Sequence, residues 1–208
     1  MYGLPANTLI NQPLYKKTVF EKFNLKAAER ERFDADISKM ALVARISPAT
    51  VPALKEGQQI KGFYVLQVTL KHKDFNLQNI LLLQKLIPQK IVFVLVYDSS
   101  PMGGGKEGAL CVFHTRLQQS DWRDTESMEI PLTGLTLDEV WENIVAAIGG
   151  LDAQAEESIE EQIIHREQRE KLLRQIEALE KRARTEKQTR KKYELHQEIM
   201  KLKKELAE

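Results

Sequence analysis

The spacing of apolar residues in the C-terminal third constrains the fold more than any other feature of the sequence. One stripe precedes a basic stretch and a second follows it: Leu172, Ile176, Leu179 and Ala183, then Leu195, Ile199, Leu202 and Leu206. In a straight helix, the 16 residues from Leu179 to Leu195 give a net rotation of about 160°, because each residue turns about 100°. The two stripes would therefore face opposite sides of a rod.

A chain that folds back near Lys187 brings the two stripes together, as an antiparallel helical pair requires. The facing pairs become Leu172 with Leu202, Ile176 with Ile199, and Leu179 with Leu195. We therefore predict an antiparallel, coiled-coil-like αα-hairpin in residues 151–208. A continuous helix that joins two partners on opposite faces is the alternative, and the absence of Gly or Pro at the turn is consistent with it.

Two thin amphipathic arms bury only one stripe each, so we expect the hairpin to pack on its own domain, a second copy or another protein. The predicted interface residues are Leu172, Ile176, Leu179, Leu195, Ile199, Leu202 and Leu206.

A hairpin would also gather seven cations at its tip. These candidate nucleic-acid-binding residues are Lys181, Arg182, Arg184, Lys187, Arg190, Lys191 and Lys192. Such a group can neutralise phosphates and give a salt-dependent affinity. A solvated helix end is the alternative. Only one aromatic residue, Tyr193, accompanies the cations, whereas proteins that bind single-stranded nucleic acid stack its bases on several aromatic side chains.

Composition divides the chain near residue 150. From about Glu156 onward there is no proline or glycine and only one aromatic residue. The whole chain is 42% apolar, which is enough to fill a core. We predict a globular α+β domain over 1–150, with a mixed sheet and flanking helices, followed by the hairpin. The 31 basic and 30 acidic residues exclude a strong overall field toward nucleic acid or anionic membranes. With no apolar run of about 18 residues and no secretion signal, we expect a cytoplasmic protein and no membrane contact.

Helices and strands alternate in the predicted domain. The chain up to Pro13 reads as an arm, followed by a helix over Leu14–Phe23. A second helix is predicted after Asn24, as an N-cap, and up to Ser47 and Pro48, because Phe33, Ile37, Met40 and Ala44 form one stripe.

The middle of the chain predicts a strand in "IKGFYVLQVTLKH", a short buried helix in "NLQNILLLQKLI" and a hairpin of strands in "KIVFVLVYD" and "GALCVFHTRL". An edge strand is predicted in "SMEIPL". A final helix follows in "TLDEVWENIVAAIGG", where Thr136 and Glu139 suggest a capping box and Gly149 a stop.

No constellation of side chains predicts a reaction, so we expect no catalytic residue, cofactor or metal. Asp34, Asp36, Gln67 and Lys71 are weakly similar to a restriction-nuclease core, but Gln67 stands where a metal-binding acid belongs. The stretch "MGGGK" lacks the spacing and the Ser or Thr of a phosphate-binding loop. The four histidines show no metal-ligand spacing, and the single Cys111 is expected in the core.

Several stretches of this sequence resemble an uncharacterised bacterial family: "MYGLP", "ERFDADI", "VWENIVAAIGG" and "EKQTRKKYELHQEIMKLKKEL". Genes of that family often lie beside DNA methyltransferases and helicases of restriction-modification or phage-defence type. The resemblance implies a protein that joins or tunes a DNA-processing assembly, with a methyltransferase or helicase subunit as a partner. It implies no catalytic residue.

Three hypotheses follow. The first is a non-enzymatic accessory or adaptor subunit that acts through protein contacts, with nucleic-acid contacts at the basic tip. The second is a degenerate or metal-dependent nuclease built on Asp34, Asp36, Gln67 and Lys71. The third is a structural protein in which the hairpin makes a homodimer. The sequence favours a non-enzyme because no convergent polar site accompanies the exposed helical appendage.

Overall fold

A computed structural model describes residues 1–100 and 104–207 of the chain. These residues form two compact units, of which the first is Met1–Ala155 and the second begins at Glu156. Each unit has its own apolar interior.

The first unit is built on a mixed sheet, which confirms the predicted α+β class. In the described residues seven strands pair in the order β1-β2-β3-β4-β5-β6, and β7 pairs with β5. Among these seven strands, β3 and β4 pair in parallel and the other pairs are antiparallel. The strands are β1 (Leu9–Leu14), β2 (Ile37–Ile46), β3 (Phe63–Leu70), β4 (Lys90–Asp98), β5 (Lys106–Phe113), β6 (Leu117–Gln119) and β7 (Arg123–Asp124).

Within residues 1–100 and 104–155, four α-helices accompany the sheet, together with short 3-10 turns at Ala6–Thr8 and Thr125–Ser127. They are α1 (Lys16–Lys22), α2 (Ala27–Asp36), α3 (Leu77–Gln84) and α4 (Leu137–Gly149). Helix α3 connects the two parallel strands, as a parallel pair requires a crossover. Asn76 caps α3 by accepting a hydrogen bond from the N–H of Gln78 at 2.9 Å.

The core lies on both faces of β3 and β4, whose near-continuous apolar runs are typical of strands buried on two sides. On one face, Leu66 and Val68 pack with Phe33 of α2 and Ile80 of α3. Successive side chains of a strand point to opposite faces. Phe63 accordingly meets Trp141 of α4, with the two ring centroids 5.6 Å apart in an edge-to-face arrangement.

The sequence predictions of strands β3, β4 and β5 and of helices α3 and α4 are confirmed. Helix α3 ends earlier than predicted, at Gln84, and the left-handed residue that ends α4 is Gly150, one residue after the predicted Gly149. The predicted helix after Asn24 is wrong in its second half, because Ile37–Ile46 is strand β2 and pairs with β1 and β3. Two register shifts in the β2–β3 ladder, at Ile37/Lys39 and at Leu42/Ala44, explain the error. Each bulge adds a residue and breaks the two-residue alternation, so the buried positions fall at intervals that imitate a helix.

The predicted N-terminal arm is also partly strand. Leu9–Leu14 forms the edge strand β1. Pro13 is tolerated there because no neighbouring strand on the open side needs a hydrogen bond from a backbone N–H. Asn24 is not the N-cap of α2: it adopts a left-handed φ of 49°, and Lys26 occupies the cap position. The N–H of Lys26 donates to the Glu29 carboxylate at 2.8 Å.

The predicted edge strand in "SMEIPL" does not form. Met128 and Ile130 are buried, and the N–H of Ile130 donates to the carbonyl of Tyr2 at 3.1 Å. The strands that extend the sheet beyond β5 are instead β6 and β7, which are two or three residues long. Strands this short carry too few residues to show a periodicity.

A carboxylate at the start of α4 organises the loop before β3. Asp138 accepts hydrogen bonds from three backbone N–H groups, those of Gln58, Gln59 and Ile60, at 2.6, 3.2 and 2.8 Å. Burial disfavours the charged carboxylate, but the three donors outweigh that effect, so the pKa of Asp138 lies below its ordinary value. The loop is thereby tied to the helix in a charge-dependent way.

The second unit is the predicted helical hairpin. Helix α5 (Ile159–Thr185) and helix α6 (Thr189–Ala207) pack against each other and are joined by three residues. The fold-back near Lys187 is confirmed, and a continuous rod is excluded. The 27 residues of α5 span about 40 Å at 1.5 Å per residue, so this arm is longer than α6.

Candidate functional site: the helical hairpin

The apolar stripes of the hairpin form a small interior. Ile176, Ala183 and Ile199 are buried at its centre, and four partly buried residues pack around them: Leu179, Leu195, Leu202 and Leu206. Leu172 is half-buried and lies near Leu206 in a shallow groove at the other end of the hairpin. Six of the seven predicted interface residues thus join the two arms. Their role toward another protein stays a prediction.

The turn is made without Gly or Pro. Glu186 ends α5 in an extended conformation, and its carboxylate accepts a hydrogen bond from the N–H of Gln188 at 2.9 Å. That hydrogen bond is the main reason that the pKa of Glu186 is lowered; the positive charges of Lys191 and Arg182 lower it further. Thr185 closes the preceding turn by donating its hydroxyl to the carbonyl of Arg182 at 3.1 Å.

The seven predicted cations surround this turn, and all are exposed. We call them the cationic apex: Lys181, Arg182, Arg184, Lys187, Arg190, Lys191 and Lys192. Two of them are ion-paired along their own helix, Lys181 with Glu177 at 2.9 Å and Arg190 with Glu194 at 3.2 Å. In the part of the chain that the structure describes, the other five have no carboxylate within 4.0 Å. These five charges are available to an external anion.

A groove of about 430 Å³ runs along one face of the hairpin beside the apex. Its apolar residues are Ala183, Ile199 and Met200, and its polar residues are Glu180, Arg184, Lys192, His196 and Lys203. We call it the hairpin groove. Lys203 of α6 bridges to Glu180 of α5 at 2.8 Å. This hydrogen-bonded lysine is the main cause of the lowered pKa of Glu180, and Arg184 and His196 lower it further.

The four residues of the nuclease hypothesis do not form one site, although the N–H of Lys71 donates to the carbonyl of Asp36 at 2.8 Å. Asp34 on α2 pairs with Lys16 at 2.6 Å, whereas Asp36 accepts from the Asn79 side chain at 2.7 Å and from the N–H of Asn76 at 2.8 Å. Gln67 accepts from the Tyr2 hydroxyl at 2.8 Å. It alternates with Leu66 and Val68, so it points to the sheet face opposite α3.

The remaining candidates are dispersed. His72 lies 3.4 Å from Asp36, and His165 pairs with Glu157. Cys111 is buried in β5, and burial raises the pKa of its thiol to about 12. Within residues 1–100 and 104–207, no group of three or more His, Cys, Asp or Glu side chains is arranged to hold a metal. The "MGGGK" stretch lies partly outside the described residues.

Sequence reasoning missed three structural features of the hairpin: the turn carboxylate Glu186, the groove residues His196 and Lys203, and the exposed Met200. A signal existed for the groove, because Lys192, His196 and Lys203 are spaced by four and seven residues and so share one face of a helix.

None of the helices in the described residues has the length and apolar character needed to cross a bilayer.

The fold and the hairpin define a class: an α+β domain followed by an antiparallel pair of long, highly charged helices. The chain belongs to the family described as a domain of unknown function (DUF4391), whose model matches residues 2–206. Comparison with curated proteins gave no match, and neither did comparison with solved structures.

Proposed function

We propose that this protein is a non-enzymatic adaptor subunit of a DNA-processing assembly, which contacts nucleic acid through the cationic apex and other subunits through its surfaces. The observation that supports the proposal is the group of five exposed apex cations without a carboxylate within 4.0 Å in the described residues. Cations that are not already paired can replace the counterions of a phosphate backbone.

The apex suits phosphate contact for a geometric reason. Arg182 and Arg184 end one helix, Lys191 and Lys192 begin the next, and the turn between them spans only Glu186–Gln188. The fold-back therefore concentrates charges that are spread over a dozen residues of sequence. A carboxylate is also present at the turn, but the lowered pKa of Glu186 arises first from its hydrogen bond to Gln188, so this acid serves the backbone.

The association with restriction-modification or phage-defence systems, and with a methyltransferase or helicase partner, rests on the sequence resemblance described above. A nuclease role has less support, because Asp34, Asp36 and Gln67 each bind a different neighbour and Gln67 points to the other face of the sheet. A purely homodimeric role has no specific observation in its favour.

Duplex DNA binding, measured as a salt series, tests the nucleic-acid part of the proposal. Up to five phosphate contacts predict a slope of log affinity against log salt of about −4.5 or shallower. Reversal of Arg190, Lys191 and Lys192 to Glu should lower the affinity at least tenfold and flatten the slope. The control reverses Lys171, Arg174 and Lys201, which are exposed on the same two helices but outside the apex, so both variants change the net charge equally.

Equal losses in the apex variant and in the control would show that DNA senses only net charge, and the apex would have no special role. A flat salt dependence in the wild-type protein would contradict phosphate contact altogether. Co-purification from the native host tests the adaptor part: we expect neighbouring gene products to elute with the full chain, and a chain that elutes alone would count against it.

A further inference from the structure

The hairpin groove differs from the apex in that it is partly apolar. The side chains of Ala183 and Ile199 are buried beneath it, and Met200 stands beside them with 69% of its surface exposed. Leu173, which is 47% exposed, precedes Glu180 by two helical turns and so continues the same face of α5. Exposed apolar residues on this face are available to a partner.

A groove between two antiparallel helices is the place where a third helix packs, because its side chains fit between the ridges of both. The hairpin joins its arms through a single stripe and leaves this face uncovered in the described residues. Methionine adapts its unbranched side chain to different surfaces and is common where a helix docks into a groove. The geometry therefore suits a helical ligand with one apolar stripe.

The charges of the groove determine the chemistry of that ligand. Arg184, Lys192 and Lys203 face a single acid, Glu180, which is already bound to Lys203 at 2.8 Å. A second copy of this chain would present the same cations across a two-fold axis, and like charges that meet at an interface are costly. A duplex nucleic-acid backbone would leave Met200 without an apolar partner.

Resting on the adaptor role proposed above, we propose that the hairpin groove binds an acidic amphipathic helix of a partner protein as the third helix of a bundle. The apolar stripe of that helix covers Met200 and Leu173, and its flanking carboxylates pair with Arg184 and Lys192. The apex and the groove share Arg184 and Lys192, so the nucleic-acid and protein contacts of this unit lie on overlapping surfaces.

A displayed peptide library tests this inference on the full chain. The library encodes helices of about 20 residues, with Leu at the apolar positions of a helical stripe, Ala as filler and an equal mixture of Glu and Lys elsewhere. We expect the bound pool to be enriched in Glu. Arg184→Glu with Lys192→Glu should weaken selected peptides at least tenfold, a free-energy change of about 1.4 kcal/mol.

The matched control is Arg182→Glu with Lys191→Glu, which changes the charge equally at exposed apex positions that do not line the groove. This control should weaken the peptides less than about threefold. Met200→Gln, which leaves the charge unchanged, should also weaken them, and circular dichroism checks that each variant keeps its helices.

The inference is overturned if no peptide is selected, if the pool shows no excess of Glu, or if both double variants weaken binding equally. A homodimer that occupies the groove, seen as a doubled mass without peptide, would also overturn it. Duplex DNA binding of the same variants keeps the proposed function separate: both double variants should lose DNA affinity, whatever the peptides do.

Discussion

Replacing Ile199 by Ala tests whether the buried stripe holds the two arms of the hairpin together. Ile199 is 4% exposed and packs with Ile176 and Ala183, while its neighbour Met200 is 69% exposed. The two residues follow each other in α6 but point to different surroundings. Met200→Ala is therefore a matched control in the same helical turn.

The magnitude follows from what each side chain loses. Ile199→Ala removes about three buried carbons at about 0.8 kcal/mol each, and the cavity brings the total to about 2–5 kcal/mol. The better helix propensity of Ala returns about 0.4 kcal/mol. We expect a net loss of about 2–4 kcal/mol in the free energy of opening the hairpin, and a change within about 0.5 kcal/mol for Met200→Ala.

Native-state hydrogen exchange of the full chain is the assay, because a thermal melt would mix the two units. A loss of 2 kcal/mol corresponds to exchange that is faster by about 30-fold. We expect this acceleration in peptides from both α5 and α6, and unchanged exchange in β4. Equal effects of the two substitutions, or acceleration confined to α6, would refute the idea that the stripes stabilise each other across the hairpin.

Three further predictions concern the first unit. Asp138→Asn should destabilise it by about 1.5–3 kcal/mol, because it weakens charge-assisted hydrogen bonds to the loop. Since the pKa of Asp138 is lowered in the folded state, the wild type should hold this stability above about pH 3.9 and lose it as the pH falls through the lower folded pKa. Chemical denaturation of the Asn variant should show a flatter acid dependence. Asp36→Ala, which leaves Asn79 and the N–H of Asn76 unpaired, should cost about 1–3 kcal/mol in the same assay, and a change below about 0.3 kcal/mol would contradict its linking role. Cys111, with its thiol pKa raised to about 12, should resist a disulfide reagent at pH 8 until the protein unfolds, and rapid native labelling would show that β5 is not buried.

The hairpin was predictable because the apolar stripes before and after the turn share one helical spacing but lie at different angles around the helix axis. Leu179 and Leu195 lie on opposite sides of a straight helix, and only a fold-back brings them together. The turn itself was harder to predict, because Glu186 ends α5 through a side-chain bond to Gln188. Glutamate is a good helix former, so nothing in its identity marks a helix end.

Strand β2 was missed because two bulges alter the regular alternation of buried and exposed residues that marks a strand. Ile37, Met40 and Ala44 are buried, at the three- and four-residue intervals that a helix would show. The intervals arise because the ladder with β3 shifts register twice. A bulge depends on the partner strand, so sequence periodicity within β2 alone cannot reveal it.

The net charge of the chain does not reveal how unevenly the charged residues are distributed around α6. On α6 the acids Glu194, Glu198 and Glu205 repeat at intervals of four and seven, and Lys192, His196 and Lys203 repeat at the same intervals two residues earlier. Two residues correspond to about 200° around a helix, so these three acids lie opposite the groove residues, on a side of α6 where Arg190, Lys191 and Lys201 offset their charge. A formal net charge of +1 is therefore compatible with a hairpin that is basic at the groove and nearly neutral on the other side of α6. This asymmetry, more than the number of cations, would set the orientation of a docked partner.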